Sequence, residues 1–180
     1  MSEATRRSAR LRVVSGGQSG VDRAALDAAR ALGLPRGGWC PRGRWAEDGA
    51  IPAAYPLDEI PQSEGLRVAA GDEAREAGHR DAELAQRTEW NVRDSDATLV
   101  IVGQRPLSGG SLLTAELAQS YRRPLRVVEL ARDPDPAKLR AWLAEHRVRT
   151  LNVGGPRASE APDLGAGARA FLERALRPEG

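Results

Sequence analysis

Ala97-Thr-Leu-Val-Ile-Val102, followed a few residues later by Ser108-Gly-Gly-Ser111, is the stretch on which the reading of the fold turns. Six consecutive apolar or β-branched residues without polar alternation describe a strand covered on both faces, as in a parallel sheet flanked by helices. Leu107–Ser111 interrupts it, and the spacing then predicts a helix turning Leu113, Leu117, Ala118 and Tyr121 inward. Toward the N-terminus the same arrangement recurs. Leu11–Val14 reads as a short strand, stopped by Ser15-Gly-Gly-Gln-Ser-Gly20. A helix follows from Val21, with Val21, Ala25, Ala28 and Leu32 at helical spacing and Gly33 as its C-terminal cap. Toward the C-terminus, Pro124–Leu130 holds a strand. Asp135 and Pro136 then open a helix with Leu139, Trp142 and Leu143 on one face. Thr150–Val153 is another strand, and a last helix over roughly Ala166–Leu176 packs Phe171, Leu172 and Leu176. Strands alternating with helices predict an α/β fold, a mostly parallel sheet with helices on both faces.

The middle of the chain behaves differently. Leu34–Glu64 contains Gly37, Gly38, Gly43, Gly49 and several prolines, with little periodicity. A short second strand fits within Gly38–Pro41, and the remainder reads as a long loop, ordered by Trp39, Trp45 and Tyr55. Ala69–Asp94 is rich in Ala, Glu and Arg and is expected to be helical in its second half. No internal repeat and no second-domain boundary is visible. The expected organisation is a flexible tail over residues 1–10 and one domain over residues 11–177.

At 180 residues the chain can bury one sizeable core, filled by Val, Leu, Ile and Ala because aromatics make up only 4%. The formal net charge of +2 suits an anionic small molecule and argues against nucleic acid. The only basic cluster is the tail around Arg6, Arg7 and Arg10, which reads as a solvated terminus. Cys40 is the single cysteine, so no intramolecular disulfide forms, and a reducing compartment fits. No apolar run approaches the ~20 residues of a membrane helix, and the N-terminal apolar run is too short for a signal peptide. A cytoplasmic protein without membrane attachment is expected.

Two turns carry the chemistry. In Gly16-Gly-Gln-Ser-Gly20, glycines would let backbone N–H groups approach an anion, helped by the helix N-terminus and the Ser19 hydroxyl. The spacing is neither the Walker pattern nor the dinucleotide fingerprint. Ser108-Gly-Gly-Ser111 repeats the arrangement after the strongest strand. Both turns should emerge at the carboxyl edge of the sheet, ~5 Å apart if their strands are neighbours and ~10 Å apart with one strand between. A compact phosphorylated ligand could span either gap.

A helix terminus contributes only about 0.3–1 kcal/mol, against about −8 kcal/mol for micromolar binding. The Leu34–Gly49 loop therefore becomes a candidate contributor, with Arg42 and Arg44 for oxyanions and Trp39 and Trp45 for stacking. Asp22 lies in the first turn of the first helix. Glu47 and Asp48 are paired carboxylates for acid–base work or simply solvated loop residues. Thr88, Asn91 and Asp94 share one helical face, aimed at the strand's entry or at a partner subunit, or serving in capping and packing. His79 and His146 sit isolated on polar segments as surface residues. They give little support to a Ser/His/Asp triad or a His-rich metal site. Cys40 reads as a plain buried thiol.

Five stretches together carry a family resemblance: SGGQSGVDRAALDAA (15–29), GGWCPRGRWAEDG with IPAAYPL (37–49 and 51–57), RTEWNVRDSDATLVIV (87–102), LSGGSLLTAELA (107–118) and LNVGGPRAS (151–159). In that order they resemble the molybdenum cofactor carrier family, part of the SLOG group of Rossmann-like nucleotide-ligand proteins. The resemblance implies a doubly wound Rossmann-like fold, assembly as a homo-oligomer, and binding of molybdenum cofactor (molybdopterin) as cargo rather than its turnover. Carried over by motif, the cofactor-binding residues are Gly16, Gly17, Gln18, Ser19 and Gly20, then Ser108, Gly109, Gly110 and Ser111, then Gly155, Pro156, Arg157 and Ser159. Asp22, Trp39 and Arg42 join them from the residue-level reading. No catalytic residue is assigned and the sequence names no metal ligand. Two other readings stay open. One is a nucleotide N-glycosidic or phosphoester hydrolase, using Glu47, Asp48, Asp22 or Glu116 with Arg93 or Arg157. It is akin to the cytokinin-activating phosphoribohydrolases, whose PGG-x-GT-x-x-E pattern LSGGSLLTAE echoes in part. The other is a nucleotide-sensing module.

Overall fold

The structure, a computed structural model, describes residues 10–61 and 73–177. Most of the expected tail, including Arg6 and Arg7, lies outside them, as do the end of the long loop at Glu64 and the first residues of the Ala69–Asp94 segment.

Among the described residues nine strands and five α-helices follow one another: β1 (Arg12–Val14), α1 (Val21–Ala31), β2 (Arg36–Gly37), β3 (Trp39–Cys40), β4 (Trp45–Ala46), β5 (Gly49–Ala50), β6 (Asp58–Glu59), α2 (Glu73–Arg93), β7 (Ala97–Val102), α3 (Gly109–Ser120), β8 (Leu125–Glu129), α4 (Pro136–Glu145), β9 (Thr150–Gly154) and α5 (Leu164–Ala175). Five of these strands form the sheet in the order β2-β1-β9-β7-β8, with every pairing parallel. The last strand in the chain thus lies between the first and the most apolar one. β7 is buried at every position, as its unbroken apolar sequence requires. The short strand expected within Gly38–Pro41 exists as β3. It pairs with β6 in a separate two-stranded ribbon, while the sheet takes Arg36–Gly37 instead.

Side-chain alternation separates two faces. On one, Val13, Leu99, Ile101, Leu151 and Val153 pack against α1, α4 and α5, with Ala25, Trp142, Phe171 and Leu172 in a single apolar cluster. On the other, Val14, Asn152 and Thr98 lie side by side in register beneath α2 and α3. The ends of α4 and α1 follow local chemistry. Asp135 accepts from the Ala137 N–H at 2.8 Å with Pro136 in the first turn. Gly33 ends α1 with a φ of 64°, a conformation glycine adopts without steric cost.

Two expectations fail on the second face. Of the residues of α3 expected inward, Ala118 is buried, but Ser111, Thr114 and Ala115 join it in place of Leu113, Leu117 and Tyr121. Leu113 and Leu117 are half-buried, and Tyr121 is exposed, its hydroxyl donating to Glu89 on α2 at 2.6 Å. α3 sits over a polar sheet surface and a cavity, which Leu113 and Thr114 both border. α2 also runs longer than the half-helix expected, from Glu73 to Arg93.

Candidate functional site

The two glycine turns do reach one cavity. Of about 170 Å³, it lies over the carboxyl ends of β1, β9 and β7, between α2 and α3, and Gln18 and Gly110 both line it. β9 separates the two turn-bearing strands, so they stand about 10 Å apart. The turns play different parts. An added Cβ at Gly16 would meet Arg87 Nη1 at 1.8 Å, and one at Gly20 would meet the Pro156 carbonyl at 2.5 Å. At Gly20 backbone and a φ of 80° demand glycine, while at Gly16 the missing side chain leaves the space that the Arg87 guanidinium fills. Arg23 Nε donates to the Gly17 carbonyl at 3.1 Å. The Ser19 hydroxyl bonds Glu47 and accepts from the Ala158 N–H at 3.1 Å. Gly16, Gly17, Ser19 and Gly20 thus form a packed joint, and of this turn Gln18 alone borders the cavity.

The second turn is the open one. Beside Gly110 an added Cβ would meet nothing within 4 Å, and Gly109, with a φ of 50°, has only Glu160 Oε1 near, at 3.7 Å. Both glycines stand at the first positions of α3, where N–H groups have no intrahelical partner. Ser108 precedes the helix without capping it through its side chain, and Ser111 is buried in its first turn. Neither serine lines the cavity. Arg157, from the loop after β9, does.

The inner wall is polar and buried. Gln18, Asp22, Thr88, Asn91, Thr114 and Asn152 line it, each at most 7% exposed. Arg87 Nη1 pairs with Asp22 Oδ2 at 3.2 Å, and the Gln18 N–H reaches the same oxygen at 3.3 Å. Burial pushes the Asp22 carboxyl above its ordinary value, against the downward pull of Arg87. Thr88 and Thr114 donate to backbone carbonyls one turn back, Leu84 and Gly110. Asn91 spends both amide ends on the Trp39 backbone, at 2.8 and 3.0 Å. Two buried atoms of the residues lining the cavity have no partner among the described residues: Gln18 Oε1 and Arg87 Nε.

The loop residues expected at the ligand do other work. Trp39 packs edge-on against Trp90 with centroids 4.9 Å apart, and its Nε1 donates to Asp94 at 2.8 Å. Asn91 and Asp94 therefore hold β3 in place, a packing role. Arg42 pairs with Glu83 at 3.2 Å, beside His79. Neither Trp39 nor Arg42 borders the cavity. His79 is a partly enclosed residue of this cluster, its side chain 16% exposed, where a surface position was expected. Arg44 donates to the carbonyls of Ile51, Pro52, Tyr55 and Leu57, which organises the whole turn. Trp45 donates its ring N–H to Glu83, and its carbonyl accepts from Gln18 Nε2 at 3.1 Å.

The paired carboxylates are occupied too. Asp48 meets Arg23 through two contacts of 2.5 and 2.8 Å. Glu47 holds Ser19 and Ser159, tying three loops together, and these hydrogen bonds keep its carboxyl below the ordinary range. Glu116 is exposed on α3 and away from the cavity. Arg93 stacks on Trp90 and pairs with Asp94. Cys40 is fully buried, and burial pushes its thiol up to about 11. Sequence reasoning missed Arg87, whose role depends on its reach across Gly16. The juxtaposed RTEWNVRD and SGGQSG motifs were the available signal.

A cavity at the carboxyl edge of a parallel sheet, where the strand order reverses, defines a Rossmann-like α/β protein with its opening at the place such folds use for ligands. The chain belongs to the circularly permutated YpsA SLOG family, whose model matches residues 13–176. The central position of β9, last in sequence, agrees with that description. The chain is also similar to a crystal structure from Syntrophus aciditrophicus SB called "Putative molybdenum carrier protein", at 37% identity and a TM-score of 0.75. The likeness covers 93% of this chain and 96% of the other. No curated protein matches the chain. Among the described residues no helix is long and apolar enough to cross a membrane.

Proposed function

We propose that this chain is a cytoplasmic carrier, acting as a homo-oligomer, that binds a phosphorylated pterin such as molybdenum cofactor and releases it unchanged. The observation that carries the reading is the meeting, in one cavity, of the open glycines at the start of α3 with the buried polar wall of Gln18 and Arg87. Free N–H groups and the positive end of α3 suit phosphate oxygens, and Arg157 adds a charge-assisted donor. The name of the S. aciditrophicus protein supports molybdenum cargo.

Size bears on how the cargo sits. Sites that enclose a whole drug-sized ligand measure about 300–1,000 Å³, so a cavity of about 170 Å³ takes in one end and leaves the rest at the mouth. Glu47 and Asp48, the carboxylates best placed by sequence for acid–base work, are tied into loop contacts, which favours binding over turnover.

Native mass spectrometry of freshly purified protein should report a bound cofactor together with the number of subunits. Titration with molybdenum cofactor, and with molybdate or tungstate alone, should give saturable binding of the cofactor. Absence of saturable cofactor binding rejects the proposal. Asp22 favours one rival, a hydrolase, because it is a buried carboxyl held above its ordinary range inside the cavity. Release of base or phosphate from nucleoside monophosphates, lost in Asp22→Asn, would establish that rival instead.

A further inference from the structure

The inner end of the cavity has a chemical preference of its own. Gln18 is 2% exposed, and its amide orientation is fixed because Nε2 donates to the Trp45 carbonyl at 3.1 Å. Oε1 is therefore the free end, buried and without a partner. A buried acceptor left unmatched is costly, and a phosphate dianion, carrying acceptors only, cannot satisfy it.

Among the described residues no neighbouring side chain donates to Gln18 Oε1. Thr88, Thr114 and Asn91 donate to backbone carbonyls. Arg87 pairs with Asp22 through Nη1 and keeps Nε unpartnered. Gln18 Oε1 and Arg87 Nε thus stand as an acceptor and a donor without partners, on a wall that also carries the Asp22 carboxyl and the Asn152 amide. The rim differs, with Arg157 and the open N–H groups at Gly109 and Gly110. A cavity of about 150 Å³ is enough to hold a benzene ring, so one ring fits within about 170 Å³.

We infer that the cavity takes its ligand ring-first: an uncharged heterocycle with an N–H beside a carbonyl enters against Gln18 Oε1 and Arg87 Nε, and the phosphate stays at the rim on Gly109, Gly110 and Arg157. Gln18 is then the residue that selects for a ring N–H. The inference rests on the binding reading above and adds the orientation and the donor requirement.

Two nucleotides separate these terms without altering the protein. Inosine 5′-monophosphate carries the N–H and carbonyl edge. Purine riboside 5′-monophosphate has the same ring system, ribose and phosphate but no donor on the ring. Calorimetric titration of the full-length protein should favour the inosine nucleotide by about tenfold or more. In Gln18→Met the preference should fall to near unity while the donor-free nucleotide binds as before. A thermal melt would confirm that the variant is folded, and the wild-type comparison stands without it.

Equal affinity for the two nucleotides, binding of neither, or a preference that survives in Gln18→Met overturns the inference. Saturable binding of molybdenum cofactor by the same preparation leaves the carrier reading standing in each of those cases. Failure of cofactor binding beside a clear inosine preference has the opposite meaning, removing the cargo and keeping the ring subsite.

Discussion

The two faces of the sheet are built from the same strands and do opposite things. On the α1–α4–α5 side Val13, Leu99, Ile101, Leu151 and Val153 turn inward from the three central strands and join one close-packed cluster with Phe171. On the α2–α3 side the neighbouring residues include Thr98 and Asn152, and the helices above contribute Thr88, Asn91 and Thr114. The first face is filled and the second keeps a cavity. Burying apolar area stabilises a fold without direction, whereas buried polar groups need partners in defined positions. A face that retains unpartnered atoms has therefore given up stability, and a ligand that matches them can recover it.

The largest expected effect falls on the polar face. In Arg87→Met, Asp22 loses the charge that compensates its buried carboxylate, at a cost of about 3–5 kcal/mol where that carboxyl is ionised. Because burial raises the Asp22 value in the folded state, the native protein binds its proton more tightly than the unfolded chain does. Stability from this group is thus greatest at low pH and falls as pH rises from the ordinary value of 3.8 through the folded one. Urea melts between pH 4 and 8 should show a steeper loss with rising pH in Arg87→Met than in wild type. Adding Asp22→Asn should remove the extra slope.

Leu99→Ala tests the apolar face. Leu99 is fully buried in the cluster, so about 2–5 kcal/mol should be lost, equally at every pH in that range. A pH-dependent loss here would break the contrast between the faces. Asn91→Leu comes next, at about 1–3 kcal/mol, since it strands the Trp39 N–H and carbonyl. The accompanying signature should be a change in Trp39 fluorescence as its packing on Trp90 loosens. Glu47→Gln is smaller still, under about 1 kcal/mol because the group is exposed and screened. Its sign is opposite to that of Asp22. The lowered carboxyl value means stability present above the ordinary 4.5 and lost as pH falls through the folded value. The least effect on stability comes from Cys40, whose test is chemical: with the thiol pushed up to about 11, native protein at pH 8 should resist a thiol reagent until unfolded.

How much of this was legible depended on distance along the chain. β7 matches its expected bounds, and Asp135 caps α4, because strand burial and helix starts are governed by residues a few positions apart. β2 was missed: a two-residue strand carries too little pattern to be seen, and only its parallel pairing with β1 defines it. The inward face of α3 was misjudged for a related reason. Leucine spacing marks the helix correctly, but the surface beneath it decides that Ser111 and Thr114 turn inward. In the site, both glycine turns and Gln18, Asp22 and Arg157 were legible as candidates. Trp39 and Arg42 were drawn in by chemistry alone and belong to contacts with Asn91, Asp94 and Glu83 instead.

By itself the sequence determined the alternation of strands and helices, the apolar layer and the two glycine-rich turns, since propensity, periodicity and capping act over short range. Only the tertiary structure decided which turn is open. What lies beside a Cα is set by distant segments, with Arg87 folded over Gly16 and Pro156 pressed against Gly20, while the space beside Gly110 stays free.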